Sequence, residues 1–242
     1  MSEFLFFHPN LEYKLFTLPE EESKHLIKVL RKTKGEQIRI MDGQGNLASA
    51  IIRNDHPKKC ELELISIEAQ VSARNYRLRL AIAPTKNNDR MEWMLEKCIE
   101  IGLDELYFIE TKNSERSRLN LERLEKIAIA ALKQSKQFQL PILGEIQKLD
   151  SFFKLQQTWN CERFIAWVET EKNEGLLKHL QSNLNSPADI LVLIGPEGDF
   201  TPDEVKLAIQ NHFKPVSLGR TILRTETAAV QSASWVSAFY NS

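Results

Sequence analysis

Two glycine-containing segments near the C-terminus hold the residues whose types and spacing are best suited to chemistry. Residues 191–204 are LVLIGPEGDFTPDE, and residues 217–230 are SLGRTILRTETAAV. Glycine lets a backbone approach a ligand closely, a carboxylate can accept a proton, and a guanidinium keeps its charge. Both segments are therefore candidate ligand loops. Between them they supply Gly195, Glu197, Gly198, Gly219 and Arg224.

The first segment predicts a strand, a turn and a helix in succession. Residues 191–194 form an unbroken apolar run, which is typical of a strand buried on both faces of a parallel sheet. After the glycine turn, Thr201 fits a helix N-cap, Pro202 the first helical turn and Glu204 a capping-box partner. Open α/β sheets bind ligands at such junctions, although an ordinary tight turn has the same local pattern. Neither glycine-rich nucleotide fingerprint is present here.

The second segment repeats this arrangement at another strand end. Residues 214–218 predict a short strand, Gly219 predicts a turn, and residues 225–238 predict a helix whose small side chains allow close packing. Arg224 lies between the turn and the helix. Two glycine-broken strand ends so close in the chain predict neighbouring loops that face one cleft.

Together the two segments resemble the C-terminal signature of the bacterial RsmE-type methyltransferases, which methylate N3 of a uridine in 16S ribosomal RNA. Further segments look like the same family: HLIKVLR at 25–31, MDG at 41–43, PTKNNDRMEWMLEKCIEIG at 84–102 and EKIAIAALKQSKQFQLP at 125–141. The resemblance spans nearly the whole chain. It implies S-adenosyl-L-methionine as methyl donor, a SPOUT-type α/β-knot domain with a parallel sheet, a PUA-like N-terminal β-barrel and a homodimer.

The expected chemistry assigns roles within the cleft. Uracil N3 must lose its proton before it attacks a methyl group, and negative charge then spreads onto the flanking carbonyl oxygens. We expect Arg224 to stabilise that charge and Glu197 or Glu226 to act as the base, unless these carboxylates instead orient the loop backbone. Thr225 and Thr227 could touch the ligand or cap the following helix, and capping is the preferred interpretation. The expected cofactor-binding residues are Ile194, Gly195, Gly198, Leu218, Gly219, Ile222, Leu223 and Thr227.

Basic residues that could contact RNA form two local groups. The chain has 32 Lys and Arg against 33 Asp and Glu, so its net charge of −1 leaves RNA binding to local patches. One group lies on or just after the first predicted helix, where charge alone fits a solvated face equally well. The other follows a predicted strand directly, where ligand loops emerge. The resemblance favours RNA contact by Lys24, Lys28, Arg31 and Lys32 in the first group and by Lys86 and Arg90 in the second.

The N-terminal part predicts a small β-barrel. Residues 19–34 predict a helix that ends at Gly35, with Leu26, Val29 and Leu30 on one face. Strand patterns follow at 37–41, 47–53 and 60–67.

The remainder alternates strands and helices, the pattern of an α/β domain, after a polar stretch at 68–75. We therefore expect a PUA-like RNA-binding domain at 1–72 and a SPOUT methyltransferase domain with a C-terminal trefoil knot at 73–242. Strands are predicted at 78–83, 105–109, 164–168, 190–194 and 215–218, and further helices at 89–101, 121–137, 175–184 and 202–211.

Composition narrows the class of protein. A content of 42% hydrophobic and 27% charged residues is typical of a globular chain. Cys60, Cys98 and Cys161 are widely spaced and are expected to be structural thiols, and neither they nor the five histidines show metal-ligand spacing, so no metal is expected. Residues 1–7 have no basic n-region and too short an apolar run for a signal peptide, and no stretch approaches a membrane span, so a soluble cytoplasmic protein is expected.

Other classes of function stay open on sequence alone. The protein could be an RNA-binding ribosome-assembly adaptor without catalysis, which would retain the fold but fail to bind the methyl donor. It could also be a methyltransferase that acts on another RNA. A different nucleotide-dependent α/β enzyme is disfavoured by the missing fingerprints.

Overall fold

The chain divides into two compact units. They comprise Met1–Ala73 with Ile129–Leu140, and Arg74–Ala128 with Pro141–Ser242. The computed structural model describes residues 4–70, 74–114, 118–167, 174–182 and 189–241, excluding the side chain at 182.

The first unit is built on a five-stranded sheet. Its strands are β1 (Leu5–Phe7), β2 (Leu15–Thr17), β3 (Gln37–Met41), β4 (Asn46–Asn54) and β5 (Glu61–Ala69). Their order is β1-β3-β4-β5-β2, and the central pairs β3–β4 and β4–β5 are antiparallel. The three predicted strands are thus confirmed. Sequence reasoning missed β1 and β2, because strands of three residues are too short to show a periodic pattern.

The predicted helix at 19–34 is wrong in its length and in one face. An α-helix, α1 (Glu20–Lys24), passes directly into a π-helical segment, His25–Val29, whose hydrogen bonds reach five residues back. A π turn holds more residues than an α turn, so the side chains rotate away from the predicted face. Leu26 is therefore fully buried, whereas Val29 is 66% exposed.

The second unit contains a six-stranded sheet in which every pairing is parallel. Its strands are β6 (Arg77–Ile82), β7 (Glu105–Glu110), β8 (Ile142–Lys148), β9 (Glu162–Ala166), β10 (Asp189–Ile194) and β11 (Lys214–Val216). Their order is β11-β9-β10-β6-β7-β8. β10 has a neighbour on each side, and its residues 190–194 are buried, as the apolar run predicted.

Helices follow these strands along the chain. They are α2 (Asn88–Ile101), α3 (Leu121–Ser135), α4 (Leu149–Gln156), α5 (Leu176–Ser182), α6 (Pro202–Gln210) and α7 (Thr225–Tyr240). The predicted elements are confirmed apart from small shifts at their ends, and the predicted ends at 168 and at 183–184 lie outside the described residues. Sequence reasoning missed β8 and α4. β8 is an edge strand with no fully buried residue, so it lacks the apolar pattern that marks a strand.

The predicted fold class, an α/β domain with a parallel sheet beside a small β domain, is confirmed. The sequence assigned residues 129–140 to the second domain, and the structure groups Ile129–Leu140 with the first unit. The predicted domain boundary between residues 72 and 73 and the predicted C-terminal knot stay predictions. From β10 the chain crosses β9 to reach β11, and α7 then packs on α2, β6 and β10.

Candidate active site

The two glycine loops line one cavity in the second unit, as the sequence predicted. The cavity has a volume of about 1320 Å³ and lies where β9, β10 and β11 end. Parallel strands bring their carboxyl ends to one edge of a sheet, which is why loops distant in sequence meet here. Its walls include Ile194, Gly195, Glu197, Gly198, Leu218, Gly219, Ile222, Leu223 and Arg224.

Several lining residues were missed by sequence reasoning. Ala166 ends β9, Trp167 follows it, and Trp235 comes from α7. Strand ends commonly carry ligand loops, and this rule applied to the end of β9 would have found Ala166 and Trp167. Trp235 gives no such signal, because its position depends on how α7 packs across the sheet.

The turn after β10 is held by side chains that reach it from two directions. Thr201 and Glu204 form the predicted capping box at the start of α6. The second oxygen of Glu204 accepts a hydrogen bond from the backbone N–H of Lys112 at 2.7 Å. The amide group of Asn113 donates to the carbonyls of Gly198 and Asp199, each at 3.0 Å. These contacts fix the turn to the end of β7 before any ligand binds.

Packing inside the protein also favours glycine at 195 and 198, and the expected close approach of their backbone to a ligand stays a prediction. The non-glycine residue Asp199, with φ of 57°, adopts the left-handed conformation in this turn, whereas neither glycine does. A Cβ added at Gly195 would lie 3.0 Å from ring atoms of Phe200, and one at Gly198 would lie 3.3 Å from Asn113. A side chain at either position would therefore be crowded by its protein neighbours. At Gly219 the space for a side chain is open, so packing does not require glycine there. Its φ of 132° does, because residues with a Cβ rarely adopt that conformation.

Thr225 connects the two loops. Its hydroxyl donates a buried hydrogen bond of 2.9 Å to the carbonyl oxygen of Gly195. The preferred interpretation of Thr225 as a helix cap is wrong, because the N-cap of α7 is Arg224 and has no side-chain capping bond. The hydroxyl instead binds the backbone of the loop after β10.

Arg90 joins the carboxylates of the two loops. One of its terminal nitrogens lies 3.3 Å from Glu197, and its Nε lies 3.6 Å from Glu226. Its position at the start of α2 follows from Asn87, whose side chain accepts hydrogen bonds from the backbone N–H groups of Asp89 and Arg90. The sequence predicted an RNA contact for Arg90, whereas the structure places it in the cavity wall, paired with protein carboxylates.

A second cavity of about 680 Å³ adjoins the first. Arg90 and the segment 222–224 line both cavities, so they form a common wall. The rest of the second cavity is lined by Asp89, Trp93, Glu226 and Thr227. Thr227, predicted to bind the cofactor, thus lines the second cavity and is not among the residues that line the first.

The other predicted RNA-binding residues have different environments. In the first unit, Lys24 pairs with Glu20 at 2.6 Å and Lys32 pairs with Glu36 at 2.7 Å. Lys28 and Arg31 are exposed. In the second unit, Lys86 is exposed after β6 and does not line either cavity.

The described part of the chain contains no group of three or more His, Cys, Asp or Glu residues that could hold a metal ion. All three cysteines are buried and unpaired. No helix among the described residues is both long enough and apolar enough to cross a membrane.

The parallel sheet with its glycine-loop cavity and the separate β unit each correspond to a domain of a known class of RNA-modifying enzyme. A family model described as an RNA methyltransferase domain matches residues 72–237, and one described as an RNA methyltransferase PUA domain matches residues 18–65. The chain belongs to this RNA methyltransferase family. The resemblance stated from the sequence and the PUA-like domain are thereby confirmed.

Particular relatives agree with this assignment. Ribosomal RNA small subunit methyltransferase E of Synechocystis is 30% identical over 93% of this chain and 74% of its own length. The protein of that name in Rickettsia conorii is 29% identical over 90% of this chain and 88% of its own. A probable rRNA-methyltransferase of Porphyromonas gingivalis superimposes with a TM-score of 0.88 at 37% identity, covering 98% of both chains. A Legionella pneumophila protein in complex with the bound cofactor SAM has a TM-score of 0.85 at 26% identity, again covering 98% of both chains.

Proposed function

We propose that this protein transfers a methyl group from S-adenosyl-L-methionine to N3 of a uridine in 16S ribosomal RNA. The convergence of two glycine loops, Arg224 and Glu197 around one cavity carries the proposal, with Arg90 linking Glu197 to Glu226. The Synechocystis and Rickettsia relatives, named for a small-subunit ribosomal RNA methyltransferase, support the substrate class. The L. pneumophila structure with bound SAM supports the cofactor.

The first cavity fits such a cofactor in size and chemistry. Ligand pockets commonly measure roughly 300–1,000 Å³. This cavity is larger, so it has room for a molecule of the size of S-adenosyl-L-methionine. Ile194, Leu218 and Leu223 offer an aliphatic surface to an adenine ring, while the backbone of the two glycine loops offers polar groups to a nucleoside and an amino acid. When bound there, the sulfonium supplies an activated methyl group.

Arg224 is the proposed electrostatic partner of the reacting base. It lines both cavities, so it can reach a group held at their common wall. Its fixed positive charge would stabilise the anion that forms when uracil N3 loses its proton. Glu197, with half of its side chain exposed, is paired with Arg90 and orients that cation beside the cavity.

The first unit is proposed to bind RNA through phosphate contacts. Lys28 and Arg31 are its exposed candidates, while Lys24 and Lys32 must exchange a carboxylate partner for a phosphate. Such contacts position the RNA without reading its sequence. A homodimer and a cytoplasmic location, where ribosomal RNA is modified, complete the proposal. Light scattering on a size-exclusion column tests the dimer.

Nucleoside mapping of ribosomal RNA from a deletion strain tests the substrate. We expect 3-methyluridine to disappear from 16S ribosomal RNA and to return when the wild-type gene is supplied. Persistence of 3-methyluridine in the deletion strain would refute the substrate. If the modified nucleoside vanished from another RNA instead, the alternative methyltransferase would be correct. Binding of RNA with no binding of S-adenosyl-L-methionine would favour the adaptor.

A further inference from the structure

One oxygen of Glu226 is buried without a partner. The side chain is 7% exposed, and its Oε1 lies 3.6 Å from Nε of Arg90. Its Oε2 has no hydrogen-bond partner among the described residues. A buried carboxylate oxygen without a hydrogen bond is unfavourable, so this atom is suited to a group that arrives from outside. Glu226 lines the second cavity, which is where such a group would have to lie.

The second cavity has the features of a site for a flipped nucleobase. Trp93, 46% exposed, gives it an aromatic surface on which a base can stack. Arg90 and residues 222–224 line both cavities, so a base here would lie next to the donor in the first cavity. Ile222, 81% exposed on the same wall, adds apolar surface that a stacked base would cover.

We propose that the second cavity receives the target uracil and that Oε2 of Glu226 accepts its N3 proton; this rests on the proposed function. The N3–H bond breaks and its proton moves to Glu226. The electron pair left on N3 forms the bond to the methyl carbon, and the carbon–sulfur bond breaks with its electrons staying on sulfur, which becomes a neutral sulfide. Glu226 returns the proton to solvent after the methylated base leaves.

Glu226 suits this role better than Glu197, the other candidate base. Glu197 is half-exposed, lines the first cavity and is not among the residues that line the second. Arg90 lies 3.6 Å from Oε1 of Glu226, whereas Oε2 is buried and has no hydrogen-bond partner among the described residues, so Oε2 is the oxygen assigned to accept the proton. General-base catalysis by a positioned side chain contributes about 10²–10⁴-fold to a rate.

Glu226→Gln keeps the size of the side chain and removes its basicity. We expect the single-turnover rate to fall about 100-fold or more, while the melting temperature and the calorimetric affinity for S-adenosyl-L-methionine stay near wild type. An RNA carrying 5-fluorouridine at the target position has a more acidic N3–H, so it should restore much of the rate of this variant while changing the wild-type rate little. A merely structural role for Glu226 would not give that selective rescue.

Trp93→Ala and Trp93→Phe test the base site separately. We expect Trp93→Ala to raise KM for RNA about tenfold without changing donor affinity, and Trp93→Phe to restore it, because stacking needs only an aromatic face. Glu96→Gln, an exposed change on the same helix, serves as the control.

Two results would overturn the proposal. One is a wild-type rate in Glu226→Gln, with the loss falling on Glu197→Gln instead. The other is a slow Glu226→Gln variant that 5-fluorouridine does not rescue. If the wild-type protein itself forms no 3-methyluridine, the proposed function fails, and that outcome is distinct from failure of the base assignment alone.

Discussion

The hydroxyl of Thr225 donates a buried hydrogen bond of 2.9 Å to the carbonyl oxygen of Gly195, 30 residues earlier in the chain. This bond ties the start of α7 to the end of β10. The shape of the first cavity depends on it, because the two loops that line the cavity meet at this contact. The bond thereby joins the two ends of the segment 196–224.

Replacing Thr225 with valine should weaken both the fold and the cavity. The change keeps the shape of the side chain and leaves a buried carbonyl without its donor, which costs about 1–3 kcal/mol. We expect a lower urea midpoint and weaker binding of S-adenosyl-L-methionine. Ser234→Ala is the matched control, since it removes a hydroxyl–carbonyl bond of 2.8 Å within α7, away from the cavity. Equal behaviour of the two variants would show that the Thr225 bond has no special role.

The ion pairs of Arg79 should stabilise the sheet strongly. Its guanidinium lies 2.9 Å from Glu105 and 3.1 Å from Asp189, and the side chains of Arg79 and Glu105 are each over 90% buried. Arg79→Met removes the buried cation and leaves the buried Glu105 carboxylate with only the exposed Arg77 and the hydroxyl of Tyr107, so we expect a loss near the lower end of about 3–5 kcal/mol in thermal or urea unfolding. Arg77 pairs with the same Glu105 at 3.6 Å but is 54% exposed, and Arg77→Met should cost only about 0–1 kcal/mol. Similar losses for both variants would contradict this account.

Replacing Arg224 with alanine should separate chemistry from cofactor binding. A single preorganised donor to a developing anion commonly contributes about 10²–10³-fold to kcat. We expect Arg224→Ala to lose at least that much activity while its affinity for S-adenosyl-L-methionine changes little, as measured by single-turnover assay and calorimetry. Full activity in this variant would remove Arg224 from the mechanism.

The three cysteines should be unreactive in the folded protein. Burial, with the nearby Asp55 and Glu61 carboxylates, raises the pKa of Cys60 to about 11. Burial also raises the pKa of Cys98 and of Cys161. The thiolate is the reactive form and a raised pKa keeps each group protonated at pH 8, so labelling by a disulfide reagent should be slow. Unfolding in guanidinium should make all three react, and rapid labelling of the native protein would disprove the prediction.

The sequence predicted most of the α/β domain because its elements have strong local signals. The apolar run of β10 and the Thr201 capping box are local features, and both loops were placed correctly at the strand ends. The partners of Arg90 and Thr225 could not be predicted, because each reaches a residue far along the chain. The π-helical segment after α1 was missed for a different reason, since an extra residue in one turn leaves no pattern in composition.

Calorimetric titration of the protein with S-adenosyl-L-methionine tests most directly whether the two loops form the donor site. Leu218→Arg adds bulk and positive charge to the cavity that must accept a sulfonium cation, whereas Ile209→Arg adds the same group at an exposed position on α6. We predict one site per wild-type chain, unchanged in Ile209→Arg and weakened about tenfold or more in Leu218→Arg. Absence of binding to the wild-type protein, or equal affinity in Leu218→Arg, would contradict the account.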